Sequence, residues 1–273
     1  MRLVQLSAAF VLLVSPSTLR AQDRETDQEW LEKCRERRSW GSDRGRACEV
    51  RDVPVRLSGQ SISIDGQRNG GIRVFGGDRT DVKVTARMEA QDRSDADARE
   101  LLSRVRLVAD GRGVRAEGPS TDGDDDRSWA VSYFVLVPRR FDLDLEAHNG
   151  GLGVSDVSGK LDLRTHNGGL QLSAVGGDVR AQTHNGSLSV QLTGNRWDGT
   201  GLEAETRNGS VRVAVPEQYS AQLETGTVNG SIRTDIPVTL SGRISRQLSI
   251  PLGGGGRTIR ATTTNGSVTI TRR

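Results

Sequence analysis

An all-β fold, a parallel β-helix or β-solenoid with coils of about 18 residues, is the class this sequence predicts. Three observations predict it. Seven Asn-Gly pairs, beginning at Asn69, Asn149, Asn167, Asn185, Asn208, Asn229 and Asn265, sit between short alternating apolar runs. The text around them repeats, with Thr-His-Asn-Gly-Gly-Leu at 165–170, Thr-His-Asn-Gly-Ser-Leu at 183–188 and Thr-Arg-Asn-Gly-Ser-Val at 206–211. Aromatic residues make up only 4% of the chain while 33 of its 273 residues are glycine. That composition suits thin coils filled by Val, Leu, Ile and Ala better than a core of large side chains.

Residues 1–21 read as a secretory signal. Arg2 supplies the charged start, Leu3 to Val14 the apolar centre, and Ser15 to Ala21 a polar exit, with cleavage expected after Ala21 although Leu19 meets the small-residue rule only in part. The apolar run is too short to span a bilayer, and no second run of spanning length follows, so no transmembrane segment is expected after cleavage. The expected location is therefore the periplasm, the outer-membrane surface or the extracellular space. Loss of Arg2 and Arg20 leaves 36 of the 38 basic residues against 35 acidic ones. Such a balance gives no strong pull on nucleic acid, which is not expected as a partner, or on anionic lipid.

Residues 22–50 read as a helical, disulfide-tied cap. Thr26-Asp27-Gln28-Glu29 spells a capping box that opens a helix running to about Arg38, with Trp30, Leu31 and Cys34 on one face and Gly41 just past its end. Cys34 and Cys48 are the only cysteines. In an exported chain an even count favours a bridge, which for so short a loop is worth on the order of 2–3 kcal/mol. Their spacing fits no zinc pattern. A cap suits the open end of a repeat stack, where apolar core and strand edges would otherwise meet water.

Residues 51–273 read as the repeat domain. Val53, Val55, Leu57, Ile62 and Ile64 alternate, and Ile72–Val74 and Val82–Ala86 continue the period of two. A helical insertion is expected near 94–104, with Ser94 as N-cap and Ala98, Leu101, Leu102 and Val105 on one face. Strands resume at Val105–Val108, Val114–Ala116 and, after an acidic stretch, Trp129–Val137. From Phe141 the units are regular. One has strands at Leu152–Val154 and Leu161–Thr165 about a middle turn at Val157-Ser158-Gly159, and the next has strands at Leu170–Leu172 and Val179–Thr183 about Val175-Gly176-Gly177. Later Asn spacings of 23, 21 and 36 residues imply a corner loop at 195–199 and a double unit lacking one Asn-Gly, with Gly253–Gly256 as its looser turn.

Asn-Gly is also the preferred type I′ hairpin turn, so an antiparallel meander competes with the stacked coil. Near-identical 18-residue units favour stacking, because coils in register put like on like and allow amide-to-amide Asn ladders worth about 1 kcal/mol per buried bond. The repeated Thr-x-Asn-Gly-[Gly/Ser]-[Leu/Val/Ile] phrase resembles the bacterial putative-adhesin family of β-strand-repeat proteins, a domain of unknown function. The resemblance covers Phe141 to Thr271 closely and Val53 to Ala90 more loosely. It implies an exported β-helix-like domain with an adhesive or envelope role, and it transfers no catalytic residue.

Several residues are candidate sites. His148, His166 and His184 are the chain's only histidines, and all precede Asn-Gly at the 18-residue period. Stacked about 4.8 Å apart they would form a column that metal could share, or else a solvent-facing position that tolerates several residues, as Arg68, Arg207, Val228 and Thr264 suggest. Asp122, Asp124, Asp125 and Asp126 form an acidic cluster without the glycine and closing glutamate of a calcium loop. Arg73, Arg212 and Arg233 hold equivalent places after the turns, on one outer face that can take acidic polysaccharide or phosphate or can simply be solvated. No nucleophilic triad and no phosphate-binding loop is readable, and no cofactor is expected. The expected role is a non-enzymatic adhesive or structural envelope module whose surface ligand is a glycan or a protein. A carbohydrate-active enzyme on the same scaffold is the main alternative, and a periplasmic binding or sensing module the second. Carboxylates with Arg in one outer groove would favour the enzyme; columns of Ser, Thr and Arg would favour adhesion.

Overall fold

Alternating apolar residues bury one side of each strand and leave the other to solvent. In the computed structural model, which describes residues 25–37, 44–57, 59–111, 113–121, 123, 126–236 and 246–273, these strands form two mixed ten-stranded sheets accompanied by two short helices. The expected signal segment, Gly41, and Asp122, Asp124 and Asp125 lie outside the described residues.

From Asp142 the chain alternates between the sheets. Leu152–Ser155, Leu170–Ser173, Leu188–Gln191 and Val211–Val215 lie side by side in the first sheet, all parallel. Asp142–Ala147, Ser158–Asn167, Gly176–Asn185 and Gly201–Asn208 do the same in the second. Strands on either side of an Asn-Gly therefore pair with different sheets rather than with each other, which removes the hairpin reading for these units. The inward side chains meet between the sheets. Leu152, Leu170, Leu188 and Val211 from the first sheet and Leu143, Leu161, Val179 and Leu202 from the second are all buried in one core cluster. Each such side chain contributes roughly 1.5–3 kcal/mol on burial, so a column of aliphatic residues does the work that aromatic residues do in thicker cores.

The two corners of a unit are built differently. The expected middle turn is tighter than three residues: Ser158-Gly159 and Gly176-Gly177 already belong to strands. The bend falls one step earlier, on Asp156 (φ 59°) and Ala174 (φ 52°), which adopt the left-handed conformation. The extra corner loop at 195–199 is exposed except at Trp197, which is buried and pins it through an indole N–H donating to the Gly177 carbonyl at 3.0 Å.

The stack does not follow sequence order at its end. Thr258–Asn265 lies between Gly201–Asn208 and Ala221–Asn229, and Val268–Arg272 lies between Val211–Val215 and Ile232–Thr234. The 36-residue spacing is thus not two stacked units with a missing Asn-Gly. Gln247–Leu252 runs antiparallel along the outer edge of Ala221–Asn229, Gly253–Gly256 reverses the chain, and the last unit returns to the interior of both sheets. At the other end Gly45–Val53, Lys83–Asp92 and Ser128–Pro138 form an antiparallel group that joins the parallel strands through Ile72–Gly77. Gly45–Val53 runs across the boundary expected at residue 50.

Both helices sit at this end. Asp27–Glu36 has both hydrogen bonds of the capping box, and Cys34 is bonded to Cys48. Asp95–Ser103 is capped by Ser94 and buries Ala98, Leu101 and Leu102 against Gly45–Val53 and Lys83–Asp92. Among the described residues no helix is long and apolar enough to cross a membrane.

Candidate functional site: a groove on the first sheet

The repeated phrase acquires a separate reason for each letter. The threonines point inward, and their hydroxyls donate to the glycine carbonyl of the neighbouring unit: Thr165 to Gly150 at 2.7 Å, and Thr183 to Gly168 and Thr206 to Gly186 at 2.8 Å. The asparagines form an amide ladder, with Asn149 donating to Asn69 at 3.2 Å, Asn167 to Asn149 at 2.8 Å, Asn185 to Asn167 at 2.7 Å and Asn208 to Asn185 at 2.8 Å. It continues out of sequence order, Asn265 to Asn208 at 2.6 Å and Asn229 to Asn265 at 2.7 Å. The ladder is exposed to solvent, which places it below the buried-bond value expected from the sequence. Glycine is needed because a Cβ on Gly168, Gly186 or Gly209 would lie 2.0 Å from the carbonyl oxygen of the glycine one unit below.

The histidines line up as expected, but as stacked plates. The rings of His148 and His166 lie 4.8 Å apart at 1°, and those of His166 and His184 4.8 Å apart at 20°. Imidazole lone pairs lie in the ring plane, so near-parallel rings direct theirs side by side rather than at one point. The separation also exceeds the about 4.2 Å that two metal–nitrogen bonds can bridge. Among the described residues no group of three or more His, Cys, Asp or Glu side chains is placed to hold a metal. Among the described residues the metal-sharing alternative for His148, His166 and His184 therefore has no converging set of ligands, and the solvent-facing reading is the one the geometry fits. Asp126, the described member of the acidic cluster, is ion-paired with Arg44 at 2.7 Å.

The two outer faces differ in charge. On the second sheet one row across the strands reads Asp144, Asp162, Arg180, Glu203, Arg260, Glu224. Its carboxylates are answered by guanidinium groups: Arg164 pairs with Asp144 and Asp162 at 2.9 and 2.7 Å, Arg180 with Glu203 at 3.1 Å, and Arg260 with Glu224 at 2.7 Å. This is the mutual neutralisation of a solvated sheet face. On the first sheet the row reads Phe134, Arg73, Gly153, Gln171, Ser189, Arg212, Thr269, Arg233. The adjoining row is Phe75, Ser155, Ser173, Gln191, Ala214, Thr271. On the other side, backbone bonds align Gly71, Gly151, Gly169, Ser187, Ser210, Ser267 and Ser231. Over these stretches none of the three rows contains a carboxylate; beyond Phe134 the first row runs on through Thr85 to Asp52, which Lys83 pairs at 3.3 Å. Arg73, Arg212 and Arg233 are exposed and, among the described residues, make no ion pair.

The Asp27–Glu36 helix walls one end of this face, leaving a groove of about 610 Å³ that runs from Trp30, Arg37 and Arg87 past Arg73 to Arg212 over a glycine and serine floor. Arg87, missed in the sequence, builds that wall. It is only 6% exposed, lies over the Phe134 ring at 4.8 Å and the Trp30 ring at 5.7 Å, and pairs with Glu25 and Asp27 at 2.9 Å each. Glu25 is the one carboxylate among the groove's lining residues, and Lys33 at 3.0 Å also neutralises it. Nothing in the alternation around Arg87 marks it as buried; only the arrival of the helix overhead does so.

Residues 139–271 match the Toastrack DUF4097 family model. The Toastrack match covers just under half of the chain. It contains the regular units, Arg212 and Arg233, and leaves out both helices, the disulfide and the Arg73 and Phe134 end of the groove. No curated protein matches the sequence. Crystal structures similar to the chain include a putative cell adhesion protein from Clostridium sporogenes, at 10% identity and a TM-score of 0.45, covering 84% of this chain and 100% of that one. A putative adhesin from Bacteroides fragilis is similar at 12% identity and a TM-score of 0.37, covering 83% and 97%. A putative lipid binding protein from Parabacteroides distasonis is similar at 11% identity and a TM-score of 0.31, covering 83% and 96%.

Proposed function

We propose that this chain is an exported, non-enzymatic β-solenoid that serves as a binding module of a bacterial cell envelope, and that the first sheet's outer face is its adhesive surface. The observation that carries this reading is the contrast between the faces: the row on one pairs its carboxylates with arginines, while the other, over the run from Arg73 to Arg233, presents Ser, Thr, Gly and three arginines that make no ion pair among the described residues, in rows without a carboxylate. A surface that has left its cations unanswered is suited to a partner that answers them. The Toastrack match to the parallel units supports the solenoid, and the Cys34–Cys48 bridge suits an oxidising compartment reached through the signal read at 1–21.

The enzyme reading would draw on the second sheet, where Asp162, Asp178, Glu203, Arg180 and Arg260 line one pocket as that reading expects, but Asp162 and Glu203 there are ion-paired with Arg164 and Arg180. Glycoside cleavage needs one carboxyl raised towards neutrality as general acid. Among the described residues, the carboxyl groups with clear shifts, Glu29, Asp78 and Asp81, are all held below their ordinary range, chiefly by hydrogen bonds from Thr26, Arg139 and Arg79 respectively. A glycan and envelope-component binding screen with the chain from Gln22 onward, run beside a polysaccharide turnover assay, tests the proposal. Saturable binding without turnover is expected. Turnover of any substrate, or no binding across the screen, would overturn it.

A further inference from the structure

We infer that the groove on the first sheet binds a linear acidic polysaccharide lying across the strands, with Arg73 and Arg212 taking its carboxylates and Arg233 extending the track. This rests on the binding-module reading above and names the ligand class for the same face. Neighbouring strands are about 4.8 Å apart. Arg73 and Arg212 are separated by four strand steps and Arg212 and Arg233 by two, so the cations recur at about 19 Å and about 10 Å. A pyranose ring in an extended chain advances about as far as one such step. A sugar chain crossing the strands would thus place one ring over each strand and meet guanidinium groups four rings apart and then two rings apart.

The residues between the arginines fit sugars. Gly151, Gly153 and Gly169 leave a low floor on which a flat chain can rest, and Ser187, Ser189 and Gln171 offer donors and acceptors for hydroxyl groups. Guanidinium groups suit carboxylates, which they bind through two parallel hydrogen bonds. The paired Arg87, Glu25 and Lys33 close the track at the helix and leave the open run towards Arg212.

Other anionic partners fit less well. Binding to nucleic acid draws on many phosphate contacts, commonly 6–10, whereas this row presents three cations. A membrane-surface site wants large apolar side chains beside its cations, and the one exposed large hydrophobic among the described residues, Val228, belongs to the second sheet.

Titration calorimetry of the chain from Gln22 onward tests the inference, with polygalacturonate, its methyl ester, neutral dextran, duplex DNA and phosphatidylglycerol vesicles as probes. Polygalacturonate is expected to bind, at least tenfold more tightly than the methyl ester or dextran, and less tightly as salt is raised. The double variant Arg73→Gln/Arg212→Gln should weaken it at least tenfold. Arg180→Gln, on the opposite sheet and paired with Glu203, should leave it within twofold. Equal binding of the methyl ester, tighter binding of DNA or vesicles, or an unaffected double variant would overturn the inference. If polygalacturonate fails while another glycan binds without turnover, the ligand class falls and the binding module stands. Circular dichroism of each variant confirms that a lost signal is not lost folding.

Discussion

At the residue scale, three letters of one phrase carry very different loads. Gly186 has no room for a side chain, because a Cβ would sit 2.0 Å from the Gly168 oxygen and the obstacle is backbone. Gly186→Ala is expected to cost at least about 3 kcal/mol. Thr183→Val keeps the shape but strips a buried donor from the Gly168 carbonyl, for about 1–2 kcal/mol. Asn185→Ala breaks two exposed amide bonds and should cost about 1 kcal/mol or less. Urea unfolding of the three variants checks the ranking, and an Asn185 variant as damaged as the Gly186 variant would refute it. Tyr133 runs the other way. Its hydroxyl is buried and finds no hydrogen-bond partner among the described residues, and burial pushes its pKa up. Tyr133→Phe removes an unsatisfied group and should raise stability by about 1 kcal/mol; a clear loss would show that the hydroxyl has a partner in solution.

At the scale of elements, the Asp27–Glu36 helix is held by the Cys34–Cys48 bridge, by the Arg87 ion pairs with Glu25 and Asp27, and at its C-cap by Arg37 with Glu89 at 3.7 Å. Arg87→Met keeps volume but leaves Glu25 and Asp27 without their shared guanidinium, at a cost of about 2 kcal/mol. The helix should then become the first site of proteolysis while the Cys34–Cys48 bridge stays intact; unchanged protection of residues 25–36 would rule out the clamp. The capping box has its own pH signature. Hydrogen bonds from Thr26 lower the pKa of Glu29 from the ordinary 4.5. A depressed carboxyl contributes stability that is present above its unfolded value and lost as pH falls through its lower folded one. Protection of the Thr26 and Glu29 amides, taken relative to their intrinsic exchange rates, should therefore hold above the ordinary carboxylate range and fall as pH drops through the lowered pKa of Glu29, and protection indifferent to pH would contradict the cap. Thr26–Glu29 was legible in sequence because a capping box is local. Arg87 was not, since its burial depends on strands and a helix 60 residues apart in the chain.

At the scale of the whole molecule, the order of stacking differs from the order of the chain. Thr258–Asn265 and Val268–Arg272 are interior strands, each bonded on both sides. Removing residues 257–273 therefore opens both sheets in their middle instead of trimming an end. Hydrogen exchange of the truncated chain should show protection lost throughout 216–236 and 246–252, not only beside the cut. Protection retained in Ala221–Asn229 would mean that this strand can re-pair with Gly201–Asn208 unaided. Sequence-adjacent units are interchangeable in their pattern, so periodicity alone could not reveal the insertion.

By itself the sequence determined the all-β class, the period of the units, the face each side chain occupies, both helix starts and the alignment of Asn and His. All of these are local or follow from a repeat that puts like on like. Tertiary structure alone decided where the last unit enters, why the glycines admit no side chain, that the histidine rings stack rather than converge, and that Arg87 lies beneath a helix. It also decided that Arg73, Arg212 and Arg233 fall in one row across the strands, with no carboxylate between them. Those properties depend on which distant strands become neighbours, and neighbours across a sheet are chosen by pairing and packing rather than by position along the chain.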